Sequence, residues 1–377
     1  MTESVDILVI GAGPVGMTLA LALAGGPYTV RLADRRPLAA QAGDPRALAL
    51  SHGARQLLEP LGAWPARSAT PIETIHVSQK GGFGRTVMDR AEHGLPALGY
   101  VLRYRDLAAA LAARLPAGSV LEESEILEIA PGDDQVAVTL RQAGEVRRVA
   151  AKILVHAEGT PADDPGVSVS DYHQHAVIAE VTPQPGHQHR AWERFTPDGP
   201  LALLPLGEDY SVVFTLPPEK ADRVMALDDA GFTQALQKQF GGRLRFANPG
   251  PRNRFPLALR LRNKLADGRQ VWVGNTAQTL HPVSGQGFNL GLRDARELAE
   301  ALLDHGPEPA TLAGHAAKRR LDRRGGALFT DSIVRAFSND FPPLKLVRGL
   351  GLLALDLCPP ARHFVAKRMI WGARAWP

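Results

Sequence analysis

The feature that most constrains this chain is Gly11-Ala12-Gly13-Pro14-Val15-Gly16, a GxGxxG turn set between a strand-like run and a helix-like run. Val5-Asp6-Ile7-Leu8-Val9-Ile10 is short and mostly β-branched or aliphatic, the pattern of a strand buried on both faces. Met17 to Ala24 reads as a helix ended by Gly25-Gly26-Pro27, and a second strand, Thr29–Ala33, closes on Asp34. Together these make a βαβ unit with the glycine turn between its first strand and its helix. Gly11 permits the tight turn, Gly13 lets the backbone approach a pyrophosphate, and Gly16 lets helix and strand pack closely. The helix start offers free N–H groups and partial positive charge to phosphates, and Asp34 stands where a carboxylate accepts hydrogen bonds from a ribose. Pro14 and Arg35, beside these residues, complete the cofactor contacts expected here. The turn alone does not separate FAD from NAD; its place at the start of the chain leans towards FAD.

A similar arrangement recurs far along the chain. Val271-Trp272-Val273-Gly274 reads as a short buried strand that delivers the glycine-rich stretch from Asn275 to Gly291. Leu292 to Leu303 then has helical periodicity, with Leu292, Ala295, Leu298, Ala299 and Leu302 on one face. Gly285, Gly287 and Gly291 permit close backbone approach to something flat or anionic at the helix start. His281 in that loop has the chemistry of a general base, but with no visible acid partner it reads as a loop histidine placed by Pro282.

The segment from Gly274 to Ala295, GNTAQTLHPVSGQGFNLGLRDA, resembles the second flavin-binding motif of the class A flavoprotein monooxygenases, the family of para-hydroxybenzoate hydroxylase. It is closest to the ubiquinone-biosynthesis branch, of the type acting on 2-octaprenyl-6-methoxyphenol. Trp192-Glu193-Arg194-Phe195-Thr196-Pro197-Asp198-Gly199-Pro200-Leu201-Ala202-Leu203-Leu204-Pro205 resembles an E-R-F-T-x-x-G-P-L-A-x-L-P stretch of that branch. Asp44-Pro45-Arg46-Ala47-Leu48-Ala49-Leu50 resembles its D-x-R-A-x-A-L motif. The resemblance implies an FAD cofactor held by Gly11, Gly13, Gly16 and Asp34, with Arg46 and Arg105 reaching the flavin side. Asn275, where most of the wider family has aspartate, would touch the ribityl chain or pyrophosphate. The backbone of Pro282, Gly285, Gln286, Gly287, Phe288 and Asn289 would border the isoalloxazine ring. No side chain is assigned a catalytic role, because in this family the flavin carries the difficult step. NAD(P)H would reduce it, dioxygen would add at the flavin C4a position, and the distal oxygen of that hydroperoxide would attack an electron-rich phenol. One stretch departs from the family: after the strand Lys152–His156, Ala157-Glu158-Gly159-Thr160-Pro161-Ala162-Asp163 stands where a D-G-x-x-S sequence is usual, which puts nicotinamide docking there in doubt.

The fold expected is α/β: a Rossmann-like FAD-binding domain built from residues 1–70, 100–165 and 267–325, a β-sheet substrate domain from 71–99 and 166–266, and a C-terminal helical region, 326–377. Leu201–Leu206 and Tyr210–Leu216 read as a hairpin across Gly207-Glu208-Asp209, and Phe195, Phe214 and Phe255 are candidates to line an apolar pocket. With 45% apolar and 22% charged residues in 377, the chain has the composition of an ordinary globular protein, and a net charge of +4 gives no indication of nucleic acid. A single cysteine, Cys358, excludes an internal disulfide and a cysteine-rich metal site; no metal is expected. The N-terminus, with Glu3 and Asp6 and no basic region, does not read as a signal peptide.

The tail differs in character. Leu346, Leu350, Leu353 and Leu357 share one helical face, and a second short helix after Pro359-Pro360 carries Phe364, Val365, Met369 and Trp371 among Arg362, Lys367 and Arg368. Lys345, Arg348 and Arg374 add to the basic count, against Asp331, Asp340 and Asp356. These helices read as a cap on the FAD domain, as a face that rests on anionic lipid, or as both. The expectation is a cytoplasmic enzyme peripherally attached to the inner membrane, with a polyprenylated phenol, dioxygen, the membrane surface and a ubiquinone-biosynthesis protein complex as partners. Two alternatives stay open: hydroxylation of another aromatic or polyketide, and a flavin-binding assembly subunit without turnover.

Overall fold

The computed structural model describes residues 2–160, 164–339 and 341–372; Met1, Pro161, Ala162, Asp163, Asp340 and Arg374 lie outside the described residues. Strand β1 (Thr2–Ile10) lies inside a sheet ordered β18-β19-β11-β1-β2-β8, comprising β18 (Ala266–Asp267), β19 (Gln270–Trp272), β11 (Glu145–His156), β2 (Val30–Ala33) and β8 (Val120–Leu121). The pairs from β19 to β8 are parallel, and an antiparallel meander of β9 (Ser124–Ala130) and β10 (Val136–Gln142) extends β11. Ile7, Leu8 and Val9 are wholly buried, as a strand covered on both faces requires. Helix α1 (Pro14–Leu23) and helix α6 (Gln286–His305) share one core, in which Met17, Leu19 and Leu23 meet Leu292, Leu298 and Leu302. The apolar face read from the sequence of α6 is thus the buried one.

Two boundaries shift. Gln286, Gly287, Phe288 and Asn289, read as loop, form the first turn of α6, which starts six residues before the expected Leu292. Gly274 belongs to a tight 3-10 turn, Gly274–Thr276, rather than to the strand, because its φ of +63° cannot continue one.

The second sheet is ordered β20-β17-β12-β15-β14-β13-β5-β6, with β20 (Gln278–Thr279), β17 (Asn253–Arg262), β12 (Val167–Gln184), β15 (Asp209–Leu216), β14 (Gly199–Leu206), β13 (Arg190–Thr196), β5 (Thr74–Gln79) and β6 (Arg85–Asp89). The expected hairpin is β14–β15, its turn tightened to Gly207-Glu208 because Leu206 pairs with Asp209. Side chains alternate between the two faces of each strand. Val177, Trp192, Leu203, Val212 and Phe214 pack one face against α4 (Pro218–Met225) and α5 (Asp229–Phe240). The other face meets a small sheet, β3 (Ala47–Ser51), β7 (Gly99–Arg103) and β4 (Thr70–Ile72), through Ala191 and Leu206 against Ile72 and Val101, and through the Arg103–Glu180 pair at 2.6 Å. Phe214 therefore does not line the pocket the sequence suggested. It faces the helices, whereas Phe195 is on the opposite face, stacked on Phe337 at 4.0 Å.

Helix α7 (Pro309–Phe337) leads to the tail helices α8 (Pro342–Leu357) and α9 (Pro359–Trp371), close to the expected pair. The leucine stripe is open to solvent, Leu350 at 52% and Leu357 at 73%. Two of the tail's basic residues, one of them from the face read as lipid-facing, are turned inward. Arg362 is clamped by both Glu92 oxygens and by the Leu355 and Asp356 carbonyls, and Arg348 donates to the carbonyls of Phe337, Leu344 and Asn339.

Candidate functional site

The glycines of the first turn have separable causes. Gly11 has φ +101°, and a Cβ there would lie 2.5 Å from the Ala157 carbonyl carbon; one on Gly16 would lie 2.1 Å from the Gly11 oxygen. Those two positions are glycine because the protein itself leaves no room. Gly13 is different. Its φ of −71° suits any residue, and a Cβ would meet only Tyr104 Oη at 3.5 Å, an ordinary contact. No protein atom fills the space over Gly13 closely. As the N-cap of α1 it provides no side-chain acceptor, and the first turn holds no acid, so the helix start presents unneutralised donors.

Around that space the chain gathers polar groups. Asp34 accepts from the Ala12 N–H at 2.8 Å and from the Arg36 N–H at 2.9 Å, while Arg35 beside it is exposed. Gln41 donates to the Ala12 carbonyl at 2.9 Å, and the Tyr104 hydroxyl approaches Gln41 at 3.4 Å. Arg46 lies over the Tyr104 ring, 4.9 Å from its centroid, and grips both oxygens of Asp44. Burial alone would raise the Asp44 carboxyl, but the bond and charge of Arg46 outweigh it and hold it below the usual carboxylate range. Arg105, in the first turn of α3 (Tyr104–Ala112), is exposed, its guanidinium 3.8 Å from Asp106.

The second motif is anchored beside the first. A Cβ on Gly291 would lie 3.1 Å from Gly274 Cα and from a Val15 methyl, so α6 rests on the glycine turn's own helix. Asp294 accepts from the Gly274 N–H at 3.1 Å and from the Gln278 amide at 2.6 Å, and Arg319 of α7 donates to it at 2.6 Å. Gly285, at φ +59°, begins α6, whose first turn again has neither a capping side chain nor an acid. A Cβ on Gly287 would have no neighbour closer than 3.9 Å, a second glycine whose bareness the protein does not need. The Asn289 side chain is occupied, donating to Ala49 and Gly285 carbonyls and accepting from the Ser51 N–H, which ties α6 to the strand that follows Arg46. Asn275 is half-buried, its amide 3.4 Å from the Thr160 hydroxyl. Pro282 is exposed, and Phe288 packs on the main core. His281 is buried, accepts from the Val283 N–H at 3.1 Å and is pushed down to about 3 by burial. Its ring caps the turn at Pro282–Ser284.

Two acid-free helix starts, each with one glycine the protein does not require, fit a dinucleotide whose pyrophosphate and flat ring come close to backbone. The Ala157-Glu158 backbone closes against Gly11, and Glu158 approaches the His156 ring at 3.2 Å. Gln41 and Tyr104 escaped the sequence reading, although Tyr104 adjoins the flagged Arg105. Gln286 donates to the Met369 carbonyl at 2.9 Å, linking the second motif to α9, and a cavity of about 80 Å³ opens there among Gln286, Leu290, Phe329, Arg368 and Met369.

The FAD binding domain family matches residues 4–324. Over 99% of this chain and 91% of its own length, the ubiquinone hydroxylase UbiL of Rhodospirillum rubrum is 33% identical. The 3-demethoxyubiquinol 3-hydroxylase of Escherichia coli is 30% identical over 94% of this chain and 95% of its own. Among solved structures, p-nitrophenol 4-monooxygenase PnpA of Pseudomonas putida superposes with a TM-score of 0.77 at 18% identity, covering 99% of this chain and 100% of that one, which shows a shared fold. With the glycine-lined helix starts in place, these matches establish that the chain belongs to the FAD-binding class A flavin monooxygenases, in the ubiquinone-biosynthesis branch.

Proposed function

We propose that this monooxygenase hydroxylates a polyprenylated phenol of ubiquinone biosynthesis, of the 2-polyprenyl-6-methoxyphenol type, with NAD(P)H and dioxygen as co-substrates. The observation that carries the reading is the full-length kinship with ubiquinone hydroxylases. The half-buried apolar side chains Val77, Ala202 and Val213, on the sheet face turned towards β3 and β7, support it, since an uncharged ring with a long apolar tail needs an apolar floor. Bound FAD, once reduced, supplies the chemistry that places one atom of dioxygen on the ring. The protein's part is to hold the cofactor, exclude water and orient the phenol. Gly13 and the start of α1 take the pyrophosphate, Asp34 the adenosine ribose, and Arg46 and Asn275 the flavin half. Feeding the holoenzyme prenylated phenols at successive oxidation stages and identifying products tests the assignment. A single hydroxylated product from the methoxyphenol stage supports it, and flavin reduction without any hydroxylated phenol contradicts it.

Arg46→Ala removes a charged partner at half-exposed depth. It should weaken FAD binding by roughly tenfold, the worth of one charge-assisted hydrogen bond. Asn275→Ala should cost less, about threefold, as a neutral amide. Titration of apoprotein with FAD measures both, and wild-type affinity in the two variants would withdraw these roles.

Access from lipid is the second part of the proposal. Among the described residues no helix is long and apolar enough to cross a membrane. The open stripe of Leu346, Leu350 and Leu357, with Lys367 and the exposed Arg368 on the next helix, instead suits a surface resting on anionic lipid. The cavity behind Gln286 is walled by Arg368 and Met369, which places the tail beside the flavin-bordering turn. Each basic residue near such a surface contributes about 1 kcal/mol. Lys367→Glu with Arg368→Glu should therefore weaken binding to phosphatidylserine vesicles by at least roughly tenfold at low salt, while turnover of a short-chain, water-soluble phenol persists. Unchanged vesicle binding would leave the tail as a cap alone.

A further inference from the structure

Glu193 occupies an unusual place in the second sheet. It sits in mid-strand on β13, paired with Val77 of β5 and Ala202 of β14, so its nearest cross-strand neighbours on both sides are apolar. Alternation puts it on the same face as Ala191 and Phe195, opposite Trp192 and Arg194. Contacts agree with this. Ala191 packs with Val101 and Phe195 stacks on Phe337, while Trp192 lies in the helix-backed core and Arg194 bonds to the Gln239 carbonyl of α5. Glu193 therefore stands on the face turned towards β3, β7 and the cofactor-binding half of the molecule.

That face is closed at its margins by apolar clusters. Ala191 and Leu206 seal one side against Ile72 and Val101, and Met88 meets Ala366 and Ile370 of α9 on the other. Between them runs a strip of half-buried side chains, Val77, Glu193, Ala202 and Val213, with Val77 packed at the edge of the Met88, Ala366 and Ile370 cluster. Within this strip Glu193 Oε1 is buried and has no hydrogen-bond partner among the described residues. Burial alone, with no charged neighbour contributing, pushes the carboxyl up to about 8. A buried polar atom left unpaired lowers stability, and a ligand that completes the pairing is one way to account for it.

We infer that Glu193 is the substrate-contacting residue that receives the phenolic hydroxyl, fixing the ring on an otherwise apolar floor. The inference rests on the phenol-hydroxylase reading above and adds the group that orients the ring. An apolar tail gives affinity without orientation, whereas one hydrogen bond to the hydroxyl fixes which ring carbon faces the flavin side.

The test uses the FAD-loaded protein with a 2-alkylphenol and its methyl ether, binding being followed by perturbation of the flavin absorption band. Wild type should bind the phenol at least about tenfold more tightly than the ether, because a site built for a hydroxyl rejects the analogue lacking it. Glu193→Leu should bind the two equally and form at least about tenfold less hydroxylated product per NAD(P)H oxidised, while keeping its FAD. Its fold should persist, since leucine fits among Val77, Ala202 and Val213 and removes an unpaired polar atom. Glu193→Gln, which still donates and accepts, should restore most of the preference for the phenol. A Glu193→Leu protein with the wild-type preference and coupling would overturn the inference while leaving the functional reading in place. A wild type that hydroxylates no phenol would overturn that reading and this inference with it.

Discussion

Gly13→Asp should give a folded, colourless protein. The backbone at this position is already extended, and a new Cβ meets only the Tyr104 hydroxyl at 3.5 Å, so nothing in the fold opposes the change. Gly13 is also the N-cap of α1, where aspartate is a favoured residue, so the helix should be as stable as before or slightly more so. The carboxylate would occupy the volume and neutralise the donors that the pyrophosphate needs, and would repel the phosphates. Loss of FAD affinity by roughly a hundredfold or more, about 3 kcal/mol, is expected, with an unchanged or higher melting temperature for the apoprotein. Retention of the full yellow colour would refute the placement of the pyrophosphate. Gly16→Ala is the contrasting variant. Its Cβ would lie 2.1 Å from the Gly11 oxygen, so it should damage folding as well as flavin binding.

Arg319→Ala should be the most destabilising single change outside the glycine turns. Arg319 is 1% exposed and bonds Asp294 at 2.6 Å, and Glu297 and Asp322 at 2.8 Å each. Burial would by itself lower its affinity for a proton, but Asp294, Glu297 and Asp322 outweigh it and raise that affinity, so the guanidinium stays charged. Truncation leaves the buried carboxylates Asp294 and Asp322 without this cation, a cost of about 3–5 kcal/mol. The loss extends to the flavin side, because Asp294 also holds the Gly274 N–H and the Gln278 amide that shape the second motif. Urea unfolding should show the lower midpoint, and FAD should leave at a lower urea concentration than in wild type. A change below about 1 kcal/mol would mean that the network is not what fixes α7 to the second motif.

What the sequence made legible was local. The βαβ unit could be read because its glycines, strand and helix lie within a few residues of one another, and each has a steric cause that the structure displays at Gly11 and Gly16. The start of α6 was misplaced because glycines usually mark loops, whereas Gly287 and Gly291 lie within a helix, Gly291 where it rests on Val15 and Gly274. Asp294 was in plain view in the quoted motif, but its partner is on another helix, and no spacing rule connects them. Phe214 was assigned to a pocket from its type, and only strand alternation together with the position of α4 and α5 decides which face it takes. Arg362 shows the same limit for charge: a basic residue on a short helix reads as solvent- or lipid-facing until Glu92, far away in sequence, turns out to hold it. Glu193 could be read as part of a family stretch, yet its burial without a partner is a property of the assembled sheet alone.

In the proposed function, two glycine-lined helix starts hold FAD over an apolar sheet face on which a phenol is hydroxylated. The most direct measurement is a single incubation of the FAD-loaded protein with a short-chain 2-alkyl-6-methoxyphenol, NAD(P)H and isotopically heavy dioxygen, with mass analysis of the ring product. One heavy oxygen atom should enter the product for each nicotinamide oxidised. Oxidation of the nicotinamide with no heavy oxygen entering any phenol would contradict the proposed function.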